Sequence, residues 1–535
     1  MHIRDDQELL DHDEPLCSEQ PASSVMASVA PGSASRRRFL RMGATAVGAT
    51  AAAALSSGVA GAQLPRGKGS TPFPTSPAGG RPDPSAQWKD ATLRLVRRVT
   101  MGPTSEEVAL ARQLGYAGYL DYQLKPDKID DSAVDALVSQ RLPMVDMSSV
   151  LLATVDANEA MAQLQDAALF RAAFSKRQLK ERMIEFWTDH FTISLNKVGV
   201  LKLPDDRDVI RTHAMTTFPQ LLRATSQSAA MLVYLDQNRS STPTPNQNYA
   251  REIMELHTVG VDGGYTQNDV AELSRILTGW SVGVGSVFQF NRNSHDRNAK
   301  TFLGRAFPAM PATATTEAMK GEGDTAIEML VMHPSTASYV SLKMARWLLA
   351  YEPPPSVVSA TAATYLATGG SIPAMIRTIM SSQNLMASPA KYKRPFHFAV
   401  SAIRGMGAQV TSIRALRQQA DRMGMPMFLW EQPNGYPDRV DWWSGLVLNR
   451  WGFTNYMTAL TSATAVAVPA ASFMAVNTPD GVVNQINARI FGGDISPQLR
   501  AQLLTYLRAV AGAPSDARVR ETIGLAVSSQ HNQWY

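Results

Sequence analysis

The chain has 535 residues, 44% hydrophobic and 18% charged, enough for a large core, which excludes a disordered or collagen-like protein. Fifty-one Lys plus Arg face 46 Asp plus Glu, and a surplus of five over this length argues against nucleic acid as a partner. Cys17 is the only cysteine, so an intramolecular disulfide, a thiolate zinc site, an iron–sulfur cluster and c-type haem are not expected, and any metal would need His, Asp, Glu or other oxygen donors.

Ser35 to Arg41 reads SRRRFLR, the form of a twin-arginine export signal with Arg36 and Arg37 as the pair. The uncharged run from Met42 to Pro65 is rich in Ala and Gly and too weakly apolar for a stable transmembrane anchor. Ala60-Gly61-Ala62 before Gln63 fits the small-residue cleavage rule, so residues 1–62 are expected to be a signal peptide cut between Ala62 and Gln63. The expected location is the periplasm or cell envelope, and the first partner is the twin-arginine translocation machinery. Those 62 residues hold five basic and seven acidic side chains, so the mature chain would carry a surplus of seven positive charges. Residues 63–87 are dominated by Pro, Gly and Ser and read as a flexible tether.

From Trp88 onward the period is helical, and the expected fold class is mainly α: one large helical domain over 88–535, with a C-terminal subdomain from about 437 as a variant. Helices are expected over Ala91–Val99, from the capping sequence Thr104-Ser-Glu-Glu107 to Leu114, and over Glu159–Phe191, Asn246–Val259 and Gln267–Trp280. Further ones are expected over Ser335–Ala350, Ser356–Ala367, Lys393–Met406, Arg450–Ala463, Pro497–Val510 and Ser515–Ser528. One short β-hairpin is expected near 286–307, pairing Ser286–Phe290 with Thr301–Phe307 across the polar run NRNSHDRN.

Several constellations could carry chemistry. Glu181, Glu185 and Asp189 recur every four residues on one helix face, where they repel unless a cation lies between them. His190 falls on the apolar side of that helix. The alternative for the stripe is a solvated acidic face offset by Arg177 and Arg182. In the run from Asn248 to Trp280, Thr266 and Asp269 form a cap pair, and Arg251 can pair with Glu255. Glu255 and His257 would stand about 200° apart on a regular helix, too far to chelate one ion. Arg251, Glu252, Glu255, Glu272 and Arg275 are either a structural ion-pair network or, in part, a site.

Gly279-Trp-Ser-Val-Gly283 matches the serine nucleophile elbow, but a helix precedes it and a strand follows, so these glycines read as a helix C-cap and Ser281 as no nucleophile. His295-Asp296 in the hairpin turn could work as an oriented base, with turn chemistry from Asn293, Asp296 and Asn298 as the bland account. Ser335 reads as a cap and His333 as local packing. Lys393-Arg394-Pro395 offers cations to an anionic ligand or to the acids above. Trp430, Tyr436, Trp442 and Trp443 would line a carbohydrate or lipid groove or form a packed aromatic corner.

The strings LVRRVTMGPTSEEV, MIEFWTDHFTIS, NYAREIMELHTVGVDGGYTQNDVAELSRILTGW, HDRNAKTFLG, HPSTASYVSLKMARWL and KYKRPFHFAVSAIR, with GYPD and a following RW, occur in order over roughly Ala91 to Trp451. Together they resemble a bacterial family catalogued as domain of unknown function 1800, whose members often carry twin-arginine signals. Asn298 departs from the glycine usual after His-Asp-x in that family, and Asn tolerates the left-handed conformation well enough to keep the turn. The resemblance implies a predominantly helical exported protein, often encoded beside a second exported family similar to the alkaline-phosphatase and sulfatase group. It brings no established activity, and the cofactor stays unknown.

The leading expectation is an exported helical enzyme, such as a metal-dependent hydrolase of an envelope or extracellular polymer. Its site would combine Asp189, His190, Arg251, Glu252, Glu255, His257, His295 and Asp296 in one cleft. The alternative is a noncatalytic scaffold or assembly partner of a co-exported hydrolase-like protein, marked by satisfied polar pairs and an exposed apolar patch.

Overall fold

The computed structural model describes residues 88–459 and 465–535. Arg36, Arg37, Ala62, Gln63 and the tether lie outside the described residues. Elements are numbered in chain order, with the helices Ser132–Arg141 and Ser382–Ala387 and the shorter turns of helix left unnumbered.

Asp90 starts α1 (Ala91–Val99) by accepting the N–H groups of Thr92 and Leu93, at 2.9 and 3.1 Å, which serves two donors that the helix itself cannot. The helix buries Leu95, Val96 and Val99 and also Arg94, Arg97 and Arg98, whose guanidinium groups end on main-chain carbonyls of Ser388, Phe491 and Leu348. Thr104 caps α2 (Ser105–Gln123), but Glu107 turns to Arg404 instead of closing a capping box. The run expected from Glu159 to Phe191 is two helices, α3 (Ala157–Phe174) and α4 (Gln178–His190). Between them Ser175 is extended, its hydroxyl donating to Asp131 at 2.5 Å.

Next come α5 (Phe218–Ser226), α6 (Ala229–Tyr234) and α7 (Gln247–Glu252), the last continuing as a π-turn over Ile253–His257. The expected cap pair is present on α8 (Gln267–Ile276): Thr266 and Asp269 exchange side-chain and backbone hydrogen bonds in a complete capping box.

The strands depart from the single expected hairpin. β1 (Trp280–Val282) pairs antiparallel with β2 (Phe288–Phe290), and β3 (Lys300–Phe302) pairs with β4 (Arg305–Phe307). Local turns win in both cases. The Ser286 N–H donates to the Gly283 carbonyl at 3.1 Å to close the first. Leu303 and Gly304, at φ 45° and 78°, form a two-residue turn whose twist suits adjacent strands in the second. The polar run between them is drawn instead onto the end of α8, where the Asp296 N–H meets the Thr278 hydroxyl at 2.8 Å.

The remaining numbered helices are α9 (Thr316–Met332), α10 (Pro334–Leu348), α11 (Pro355–Thr368), α12 (Ile372–Ile379), α13 (Pro395–Met406), α14 (Ile413–Asp421), α15 (Val447–Ala459), α16 (Pro479–Ile490), α17 (Pro497–Arg508) and α18 (Asp516–Ser528). On α10 the cap is His333, whose Nδ1 accepts the Ser335 N–H at 3.2 Å, so His333 does the work expected of Ser335. A pair β5 (Gln409–Val410) and β6 (Val466–Ala467) completes a mainly α fold.

Two large apolar clusters form the interior. One gathers Leu95, Trp187, Phe218, Trp280 and Met344 from α1, α4, α5, β1 and α10. The other gathers Leu164, Phe398, Phe453, Ile486 and Ile523 from α3, α13, α15, α16 and α18. α4 gives its apolar residues to the first and α13 to the second, so the polar side chains these helices exchange form a seam between the cores.

Candidate functional site

The acids of α4 set the seam. Glu181 accepts both terminal nitrogens of Arg211, at 2.9 and 3.0 Å. Glu185 pairs with Arg182 at 3.3 Å and with Arg394, and Arg394 also holds Asp189, whose Oδ1 accepts the Tyr436 N–H at 3.4 Å. The cation that the acidic stripe requires is thus guanidinium, delivered by Arg211 and Arg394 from distant segments. The expectation of a solvated face does not hold: Glu181 and Glu185 are buried, and Arg177 turns away to Asp135 and the Ile129 carbonyl. Arg182 and Arg394 lie over the Trp347 ring, each 4.5 Å from its centroid, which offsets part of the cost of burying them. Burial alone would lower the Arg394 pKa, but Asp189 and Glu185 overcome it and raise the value. Burial pushes the Asp189 carboxyl up despite Arg394.

At the C-terminal end of α4 the chemistry changes. His190 and His257 are each 1% exposed, with ring centroids 6.1 Å apart, in a box of Trp187, Phe191, Phe218 and Tyr339. His190 Nε2 lies 3.0 Å from the His257 carbonyl, which assigns the proton to Nε2 and leaves a lone pair on Nδ1. That Nδ1 and His257 Nε2 are buried and meet no hydrogen-bond partner. Burial drives His257 down to about 3 and His190 well below the ordinary histidine value, and Lys343 adds to both.

Lys343 and Tyr339, one helical turn apart on α10, form the partly exposed edge of this cluster. Lys343 Nζ lies 5.9 Å from the Tyr339 ring centroid, and no described carboxylate reaches it as an ion pair. Burial lowers the amine to about 8, with Asp189 opposing and Arg346 reinforcing the shift. Burial also raises the Tyr339 hydroxyl to about 12. A neutral imidazole with an unused lone pair beside a readily deprotonated amine is equipped to move protons. Neither Lys343 nor Tyr339 was singled out from the sequence. The available signal was a lysine set in the apolar stripe of Val340, Met344 and Trp347.

The eight expected site residues therefore fall into separate groups. Asp189, His190 and His257 come together. Arg251 pairs with Glu255 at 3.4 Å and with Gln267 at 3.0 Å, while Glu252 is buried near Tyr234 and helps to raise its pKa. The π-turn is the reason the helical geometry expected for Glu255 and His257 does not apply, since it re-aims each side chain it contains. His295 and Asp296 form a third group at the end of α8. His295 Nδ1 is 2.8 Å from the Thr278 carbonyl and its Nε2 is 3.3 Å from Glu322, which also holds Lys300 at 2.6 Å. Asp296 takes Arg275 at 2.7 Å, and Arg275 takes Glu272 at 2.9 Å. Although burial opposes it, bonds from Arg275 and the Asn298 N–H hold the Asp296 carboxyl below its usual range. The expected network of Arg251, Glu255, Glu272 and Arg275 is accordingly two separate pairs. Ser281 lies on β1 with its hydroxyl on the Asn238 carbonyl at 3.1 Å, and Trp430, Tyr436, Trp442 and Trp443 pack as an aromatic corner with centroids 4.9–6.4 Å apart.

Among the described residues, no three His, Cys, Asp or Glu side chains are placed to hold one metal ion, and no helix is long and apolar enough to cross a membrane. Fold and site together define a mainly α protein with an ionic seam and an aromatic-boxed histidine pair. The family model described as Protein of unknown function (DUF1800) matches residues 94–534, and the chain belongs to that family. Comparison with curated proteins and with solved structures returns no match.

Proposed function

We propose that the protein is exported by the twin-arginine route, loses residues 1–62, and works in the periplasm or cell envelope as a hydrolase of an envelope or extracellular polymer. Lys343 transfers protons at the edge of the histidine box, with Asp189 and Tyr339 beside it and His190 and His257 setting its field from behind. The observation that carries this reading is the pair of buried imidazole nitrogens without partners next to an amine that makes no ion pair, since a buried polar atom left unserved in a folded protein calls for a reason. The test is release of soluble fragments from isolated envelope polymers by the mature protein. Lys343→Met should cut the rate by about 100-fold or more at an unchanged melting temperature, and Lys343→Arg should not restore it, because guanidinium does not deprotonate. A folded wild-type protein that releases nothing from these polymers would sink the hydrolase reading.

A second reading, a noncatalytic scaffold for a co-exported hydrolase-like protein, is favoured by an exposed apolar patch. Val284, at 100% exposure, stands at the tip of the β1–β2 hairpin with Val287, and Gly285 brings Val150 and its neighbour Leu151 alongside. Under that reading Val284→Asp abolishes complex formation with the partner, and Lys343→Met leaves it intact.

A further inference from the structure

Away from the histidine box, a cleft of about 230 Å³ opens between the end of α3, the start of α4 and the segment around Arg211. Most charges on its walls are spoken for. Arg177 holds Asp135, Arg211 holds Glu181 and Asp206, and Arg207 holds Asp208 through two bonds of 2.7 Å. Asp131 is served by the Ser175 hydroxyl and the Lys176 N–H.

Arg171, in the last turn of α3, and Lys180, in the first turn of α4, also line the cleft, and neither has an acceptor within hydrogen-bond or ion-pair distance among the described residues. Both are partly buried. Burial lowers both pKa values, and Arg211 lowers them further as a like charge, while the pull of Glu181 does not compensate. Glu181 and Asp135 are spent on other arginines and Asp131 on Ser175 and the Lys176 N–H, so these two cations face the cavity with all their donors unused.

We infer that this cleft is an oxyanion site for a phosphate group, either free phosphate or a soluble phosphate monoester, held by Arg171 and Lys180 against the outer edge of Arg211. A phosphate brings between one and two negative charges and three or more acceptor oxygens, and it matches the planar guanidinium fork of Arg171 while Lys180 supplies a point charge. A carboxylate offers one charge and two oxygens and so serves two such cations less fully. The volume admits the group and a small part of whatever bears it, not a lipid surface. The site is independent of the proposed polymer hydrolysis and stands or falls separately.

The test is calorimetric titration of the mature protein with inorganic phosphate, glucose 6-phosphate and acetate at low and high salt, with thermal melts of the same samples. Phosphate and glucose 6-phosphate should bind saturably and in competition, acetate at least tenfold more weakly, and all of them less tightly at high salt. Arg171→Gln and Lys180→Gln should each weaken phosphate at least tenfold, whereas Arg439→Gln, at an exposed pair with Asp441, should not. Without ligand, Lys180→Gln should melt at or above the wild-type temperature, since it removes a cation crowded by Arg211, yet phosphate should no longer raise that temperature. Absence of saturable phosphate binding, acetate equal to phosphate, or variants that bind as wild type would each overturn the assignment.

Discussion

The imidazole of His257 is folded away in its neutral form, and this couples stability to acid. Its pKa is about 3 in the folded chain, against about 6.5 free, so between those values the unfolded chain takes up a proton that the native chain refuses. Stability from this group is complete above about pH 6.5 and is lost as the pH falls toward 3. His531, buried and pressed by Arg97 and Lys393, is lowered to about 3 as well and acts with the same sign. At pH 5 each costs about 2 kcal/mol relative to neutral pH. Melting curves from pH 7.5 to pH 5 should therefore show a steady fall in melting temperature, and His531→Phe, which keeps the ring contacts with Trp88 and Phe491, should remove its share of the slope. Lys343 gives a second residue-scale outcome. An amine lowered to about 8 should acylate ahead of surface lysines, with a rate midpoint near pH 8 when followed by mass spectrometry, and a midpoint near 10 would contradict the proposed proton transfer.

Helix starts were legible because capping is local: Thr266 and Asp269 stand three residues apart and need nothing else to find each other. Asp269 also accepts the Leu303 N–H at 2.9 Å, which ties the β3–β4 hairpin to α8. Asp269→Ala should cost about 1–2 kcal/mol in chemical denaturation by losing both the cap and the tie. Helix breaks were less legible, since the extended Ser175 between α3 and α4 is fixed by Asp131, far away in the chain. α9 was missed because Gly321 and Gly323 disguise its period. Gly323 is there for packing, a Cβ at that position falling 2.6 Å from the Trp280 ring. The seam between α4 and the start of α13 rests on one shared cation. Arg394→Met would leave Glu185 and Asp189 buried without their shared cation, with an expected loss of about 3–5 kcal/mol in denaturant titration.

For the whole molecule, the export proposal is tested by fractionation: replacing the pair by Arg36→Lys and Arg37→Lys should leave full-length protein in the cytoplasm, and unchanged export would remove the twin-arginine route. The sequence by itself determined the mainly α class, most helix positions and the family, because helical period and end caps are set within a few residues of chain. It also named Asp189, His190 and His257, and it offered Arg394 to the acids it meets. Only the tertiary structure decided what these groups do. The acidic stripe of α4 finds its cations in Arg211 and Arg394, which come from later segments of the chain, and no periodicity encodes such pairing. The π-turn at Ile253–His257 changes side-chain directions that a regular helix would fix. Lys343 acquires its lowered pKa only when α10 packs against the end of α4, because desolvation belongs to the assembled core and not to any one segment.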